Sequence, residues 1–160
     1  MSDLRVGTGV DAHAFGEGVP LVLGGVAIEH PRGLVGHSDG DVVTHALIDA
    51  LLSAAAAGDV GSMFPSEDPG LQGIDSLEML KAAYERAHQE GWELVNAACV
   101  LIGEEPRVAD RRAEMAAALA GALGVEAEQI SVTGTTTDLL GFTGRGEGLA
   151  AHAVVLLARA

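Results

Sequence analysis

The sequence predicts a sandwich of strands and helices, α+β or α/β, with the helices on one face of the sheet. Three observations carry this expectation. Apolar runs of strand length alternate loosely with runs of helical periodicity. A length of 160 residues suits one domain rather than two. The hydrophobic share is 48%, with 22 Gly but only three Phe, one Tyr and one Trp, so the core must be built from small aliphatic side chains. A subunit interface would help such a chain to finish burying its apolar surface.

The elements follow in order. Arg5–Phe15 reads as extended, and a period of two places Asp11 and His13 on the same strand face, where they can share an ion. Pro20–Ile28 reads as a second strand, interrupted by Gly24-Gly25 as a turn or bulge. His30–Gly33 is a loop leading to His37. Gly36–Asp41 then feeds a helix N-terminus, where free N–H groups and the helix dipole favour an anion such as phosphate. From Asp41 to Gly58 the spacing of Val43, Leu47, Ala50, Leu51 and Ala54 forms an apolar helical stripe, with Asp41, His45 and Asp49 in a polar row opposite. Gly58–Gly70 is a long loop dense in Gly, Pro and acids, of a kind that is often functional.

A clearer amphipathic helix runs to about Gln89, with Asp75 or Ser76 as N-cap, Gly91 as its stop and Leu77, Leu80, Tyr84 and Ala87 inward. His88, near its end, reads as a surface residue. Trp92–Ile102 is a strand ended by Glu104-Glu105-Pro106-Arg107. A helix from Ala109 to Leu123 buries Met115, Leu119 and Leu123 and stops at Gly124. Ile130–Thr137 returns to strand character, Gly141–Gly148 is a glycine-dense loop, and Leu149–Leu157 is the final strand.

One carboxylate and two imidazoles, Asp11, His13 and His45, match the three-ligand sets of catalytic zinc, whose fourth position stays open for water or substrate. Singly, His45 reads as a half-buried histidine on a carbonyl and Asp41 as a helix cap. Together they say more, because four of the six histidines precede residue 46, interleaved with Asp and Gly where core positions would be apolar.

A net charge of −14, with Lys81 the one lysine, argues against nucleic acid and anionic membranes as partners. A phosphate ligand would need metals and aimed backbone N–H groups to supply positive potential. The single cysteine, Cys99, has no disulfide partner in the chain and reads as core. No signal-peptide pattern or spanning apolar run is present, so the expectation is a soluble, cytoplasmic protein.

Asp11-x-His13, His37-Ser-Asp-Gly-Asp-x-x-x-His45, Gly58-Asp-Val-Gly61, Phe64-Pro65, Thr135-Thr-Thr137 and Gly141-Phe-Thr-Gly-Arg-Gly-Glu-Gly148 occur in this order across nearly the whole chain. The set closely resembles the 2-C-methyl-D-erythritol 2,4-cyclodiphosphate synthase family of the non-mevalonate isoprenoid pathway. The resemblance implies a single α+β domain over residues 1–160, with a mixed sheet covered by helices on one face, assembling as a homotrimer with active sites between subunits. It also implies a lyase that cyclises 4-diphosphocytidyl-2-C-methyl-D-erythritol 2-phosphate and releases CMP. By similarity, zinc is held by Asp11, His13 and His45, and a second divalent cation, magnesium or manganese, by Asp138.

His37 and Thr136 match catalytic positions that hydrogen-bond the reacting phosphates. Ser38, Asp59, Val60, Gly61 and Phe64 match the methylerythritol pocket. Gly103, Pro106, Arg107, Val108, Ala109, Gly134 and Thr135 match the cytidine side, and Thr137, Phe142 and Arg145 complete the implied contacts. Four departures from the family pattern stand out. Glu104-Glu105 places two acids near a nucleotide; Asp138 replaces a Glu; Thr133-Gly134 replaces Lys-Ala; and His152 replaces a Glu beside Arg145, which makes the implied trimer axis a candidate anion site. Two competing readings are a phosphohydrolase with Asp39 or Asp41 as base, and a non-catalytic metal or nucleotide binder.

Overall fold

The computed structural model describes residues 3–159. A five-stranded mixed sheet has the order β4-β1-β7-β5-β6, with β1 at Asp3–Glu17, β4 at Arg32–Leu34, β5 at Glu93–Ile102, β6 at Ile130–Thr135 and β7 at Gly148–Arg159. Only β5 and β6 run parallel; β1 and β7 pair antiparallel from Asp3↔Arg159 to Ala14↔Gly148. Three helices lie on one face: α1 at Val42–Ala54, α3 at Ser76–Gln89 and α4 at Arg112–Leu123, with α2 a single turn at Val60–Met63. The expected mixed sheet with one covered face is therefore present.

The register of β1 sets this geometry. Gly7 and Gly9 are buried and face α1, whereas Leu4, Val6 and Val10 alternate onto the open face, with Val6 70% exposed. A Cβ at Gly9 would lie 2.0 Å from the Ala46 carbonyl oxygen, and one at Gly7 would lie 2.0 Å from that of Ala50. The two glycines thus let helix and strand touch backbone to backbone.

Several sequence expectations need correction. Pro20–Ile28 is not one strand but a hairpin of β2 (Leu21–Leu23) and β3 (Val26–Ile28), turned by Gly24 and Gly25 at φ 56 and 75°; successive left-handed residues make this kind of two-residue turn. The segment before His37 contains β4, too short to show alternation. The apolar stripe of α1 is in fact part of an almost all-round buried surface, with only Asp49 and Ser53 left partly or wholly exposed, because α1 is enclosed between the sheet and α3. Gly58–Gly70 holds α2 and a 3-10 turn at Pro69–Leu71, Ala109–Arg111 is a 3-10 turn before α4, and Gly141–Gly144 forms a short helical turn, α5. Strand β6 ends at Thr135, two residues early.

Helix α3 is capped by Asp75 and buries Ser76, Met79, Leu80, Ala83 and Ala87; Leu77 and Tyr84 are only half-buried, and His88 is exposed. Cys99 is buried in the core, which pushes its thiol up to about 12. Among the described residues, no helix is long and apolar enough to cross a membrane.

Candidate active site

Strand β1 and helix α1 bring together the three residues singled out from the sequence. Asp11 Oδ2 lies 2.8 Å from His13 Nε2 and 3.2 Å from His45 Nδ1, and the two ring nitrogens are 3.3 Å apart. A tetrahedral zinc ion with bonds of 2.0–2.1 Å needs ligand atoms about 3.3–3.4 Å apart, so these three atoms fit one face of such a shell. The chemistry of the donor set agrees with the spacing: one carboxylate and two imidazoles.

Neighbouring groups orient the rings. His13 Nδ1 donates to the Val35 carbonyl at 2.9 Å, which leaves Nε2 free to ligate. His45 Nε2 lies 2.8 Å from Ser38 Oγ and 2.9 Å from Ser76 Oγ, leaving Nδ1 to face Asp11. Ser76 is fully buried and in turn hydrogen-bonds the Asp39 carboxylate through both its hydroxyl and its N–H. Partners of this kind fix the tautomer and ring plane of a metal-binding histidine. Ser76 was not legible as a site residue, and Asp39 was read only as a hydrolytic base, because their link to His45 forms only once α3 docks.

Burial opposes ionisation of Asp11, but hydrogen bonds from His13 and His45 outweigh it and hold the carboxyl down at about 2. The same carboxylate raises the His13 pKa against the effect of burial.

Asp41 and Asp49 do not join this cluster. Asp41 is fully buried, and its carboxylate accepts from Gly24 N, Gly25 N, Thr44 N and Thr44 Oγ1. It caps α1, and the anion expected at that N-terminus is this side chain rather than a phosphate. Burial raises its pKa. Asp49 accepts from the Val60 N–H at 2.7 Å and tethers α2.

Two clefts hold most of the remaining site residues. The first, of about 360 Å³, is lined by Asp11, His13, His45, His37, Ser38, Val60, Gly61 and Phe64, with Ser66, Glu67, Leu71, Ile74 and Met79 added by the structure. Asp59 does not line this cleft; it caps α2, accepting from Ser62 N–H at 2.8 Å. The second, of about 340 Å³, is lined by Gly103, Pro106, Arg107, Val108, Ala109, Gly134, Thr135 and Thr136, with Leu101, Glu104, Arg112 and Leu149 added. The two clefts share no lining residue; His37 lines the first and Thr136 the second. Thr137, Asp138, Phe142 and Arg145 line neither cleft.

Asp138 sits on an exposed turn at φ 52°, 3.4 Å from the Thr136 hydroxyl. Arg145 pairs with Glu147 at 3.1 Å, and His152 Nε2 lies 2.7 Å from Thr8 Oγ1. Of the two unexpected acids, Glu105 is exposed and Glu104 is turned into the fold.

Similarity to known proteins runs along nearly the whole chain. The YgbB family model matches residues 4–158. A relative named 2-C-methyl-D-erythritol 2,4-cyclodiphosphate synthase, from Geobacillus kaustophilus, is 51% identical over 153 residues, covering 96% of this chain and 97% of its own. The solved bifunctional IspDF from Campylobacter jejuni superposes with a TM-score of 0.96 at 39% identity; the whole of this chain matches 43% of that one. A structure of 2C-methyl-D-erythritol-2,4-cyclodiphosphate synthase in a CDP-bound form superposes at 0.87 with 37% identity, covering 96% of this chain and 99% of that one. With a ligand triad in place and similarity running the length of the fold, the chain belongs to the YgbB family, alongside the relatives named 2-C-methyl-D-erythritol 2,4-cyclodiphosphate synthase.

Proposed function

We propose that the chain, as one domain over residues 1–160, closes the ring of 4-diphosphocytidyl-2-C-methyl-D-erythritol 2-phosphate. The products are 2-C-methyl-D-erythritol 2,4-cyclodiphosphate and CMP, a phosphorus–oxygen lyase step of non-mevalonate isoprenoid synthesis. The observation that carries the reading is the convergence of Asp11, His13 and His45 on one point in the wall of a cleft.

An oxygen of the 2-phosphate attacks the β-phosphorus, and the bond from that phosphorus to the bridging oxygen breaks, so the electron pair leaves with CMP. The nucleophile is already an anion, which makes the task one of positioning and charge stabilisation rather than proton removal. Asp11, His13 and His45 would hold zinc, which would supply Lewis-acid polarisation of the β-phosphate, and Asp138 would hold a second divalent cation, magnesium or manganese, that would neutralise diphosphate charge. His37 and Thr136 donate hydrogen bonds to the reacting phosphates. Ser38, Asp59, Val60, Gly61 and Phe64 hold the methylerythritol moiety. The cleft of Gly103, Pro106, Arg107, Val108, Ala109, Gly134 and Thr135 takes the cytidine, and Thr137, Phe142 and Arg145 make further substrate contacts.

A homotrimer is part of the proposal. The two half-sites share no residue within a chain, so a neighbour's second cleft set against the first would complete each site. The open sheet face also carries Leu4, Val6, Val10 and Val154 at 55, 70, 66 and 39% exposure, an apolar patch suited to a partner subunit. An anion on the trimer axis near Arg145 and His152 would compete with Glu147 for Arg145.

Neither base considered for hydrolysis is free: Asp41 is sealed in, and both oxygens of Asp39 are engaged by Ser76 and the Asp41 N–H. The test is phosphorus NMR of the diphosphocytidyl substrate incubated with protein, zinc and magnesium. Appearance of CMP with the cyclic diphosphate is the expected result; a linear product containing solvent oxygen, or unchanged substrate, refutes it.

A further inference from the structure

We infer that Glu104 is a positioning residue, whose carboxylate latches the turn of residues 136–139 to the wall of the second cleft; the inference builds on the proposed roles of Thr136 and Asp138. Glu104 follows β5 and lines that cleft, and its Oε1 accepts the Leu139 N–H at 3.0 Å, across 35 residues of sequence. The other hydrogen bonds of residues 136–139 are local. Leu140 N donates to the Thr137 carbonyl, Thr137 Oγ1 meets Thr143 Oγ1, and Asp138 N donates to Thr136 Oγ1. Among the described residues, Glu104 is thus the one hydrogen-bond partner from a distant segment for this turn.

The turn needs such a tie. Asp138 and Leu139 occupy the left-handed region in succession, at φ 52 and 66°, although neither is glycine. Both side chains are exposed, Leu139 at 74%, so side-chain packing does not hold them there. Consecutive left-handed residues with side chains persist only where surrounding contacts over-determine them. A hydrogen bond from a backbone N–H to a carboxylate is among the stronger single contacts available for this.

The second oxygen, Oε2, is buried without a hydrogen-bond partner. The latch therefore uses one acceptor oxygen. Glutamine at this position keeps the acceptor, whereas alanine removes it.

The experiment compares wild type with Glu104→Ala and Glu104→Gln by amide hydrogen exchange of the metal-free protein, and by kcat and KM with magnesium present. For Glu104→Ala, exchange of the 135–144 segment accelerates by about tenfold or more, the size expected for loss of a charged hydrogen bond. Exchange of β1 and β7 stays unchanged, which shows that the variant is folded. Its kcat falls by about tenfold with a smaller change in KM, because the groups acting on the phosphates are displaced while the cytidine cleft remains. Glu104→Gln restores both readouts to within about threefold. Wild-type exchange rates in Glu104→Ala, or equal loss in Glu104→Gln, overturn the latch. If wild type makes no cyclic product, the proposed reaction falls, and the exchange comparison still decides the latch.

Discussion

Replacing Gly9 with alanine probes the geometry on which the metal site depends. The new Cβ would stand 2.0 Å from the Ala46 carbonyl oxygen, 2.7 Å from the Ala50 nitrogen and 2.9 Å from the Asp49 Cβ. Two of these atoms are helix backbone, so no rotamer change relieves the clash, and α1 must move off β1 by about 1 Å. Overpacking of this kind costs roughly 3 kcal/mol, the upper part of its usual range. For a chain of this size that lowers the melting temperature by about 6–12 °C. The same shift carries His45 away from Asp11 and His13, and coordination tolerates only about 0.2 Å. Zinc affinity therefore falls by more than about tenfold. Thermal denaturation and competition with a chromogenic zinc chelator measure the two effects. Gly121→Ala is the control: nothing lies within 4 Å of its added Cβ on α4, so it gains about 0.5–1 kcal/mol of helix propensity. A Gly9→Ala protein that melts within about 2 °C of wild type and binds zinc equally well would refute the close-contact reasoning.

Ser76→Ala removes the hydroxyl between His45 and Asp39 and should weaken zinc binding by about 10- to 100-fold in the same competition assay, with folding retained; unchanged affinity would mean that Ser38 alone orients the ring. Asp11 raises the His13 pKa above 6.5, so zinc must displace a proton from His13 below that raised value, and affinity should fall by up to about tenfold per pH unit there. Flat affinity from neutral pH down to about 5 would contradict this. With Asp11 depressed to about 2 from 3.8, its contribution to metal-free stability is complete above the unfolded value and is lost as pH falls toward 2; acid titration of the unfolding midpoint in wild type and Asp11→Asn tests that sign. Cys99, at about 12 and buried, should resist iodoacetamide at pH 8 in the native state and react on unfolding.

Much of this molecule was legible from local pattern alone. Alternation in β1 placed Asp11 and His13 on one face, and the helical phase from Asp41 placed His45 on the first long helix. What pattern could not supply was context. The row Asp41, His45, Asp49 has equal spacing, yet its three members serve as a cap, a ring of the ligand triad and a tether for α2, because each meets a different neighbour. The two-faced reading of α1 failed for the same reason. A helix enclosed on both sides is buried over most of its surface, and periodicity then marks no single inside. Short elements such as β4, α2 and α5 span too few residues for any period to register. Glu104 reads as a misplaced charge until the turn it grips is seen 35 residues later.

The buried cap at Asp41 bears on how the chain reaches its native state. Its carboxylate must leave water, and that loss is offset only when the Gly24-Gly25 turn and the Thr44 donors surround it together. Hairpin and helix therefore cannot mature one after the other at low cost. Their formation is coupled through that carboxylate, and since this helix also carries His45, the scaffold of the Asp11, His13 and His45 cluster draws on the same buried contacts as the protein's centre.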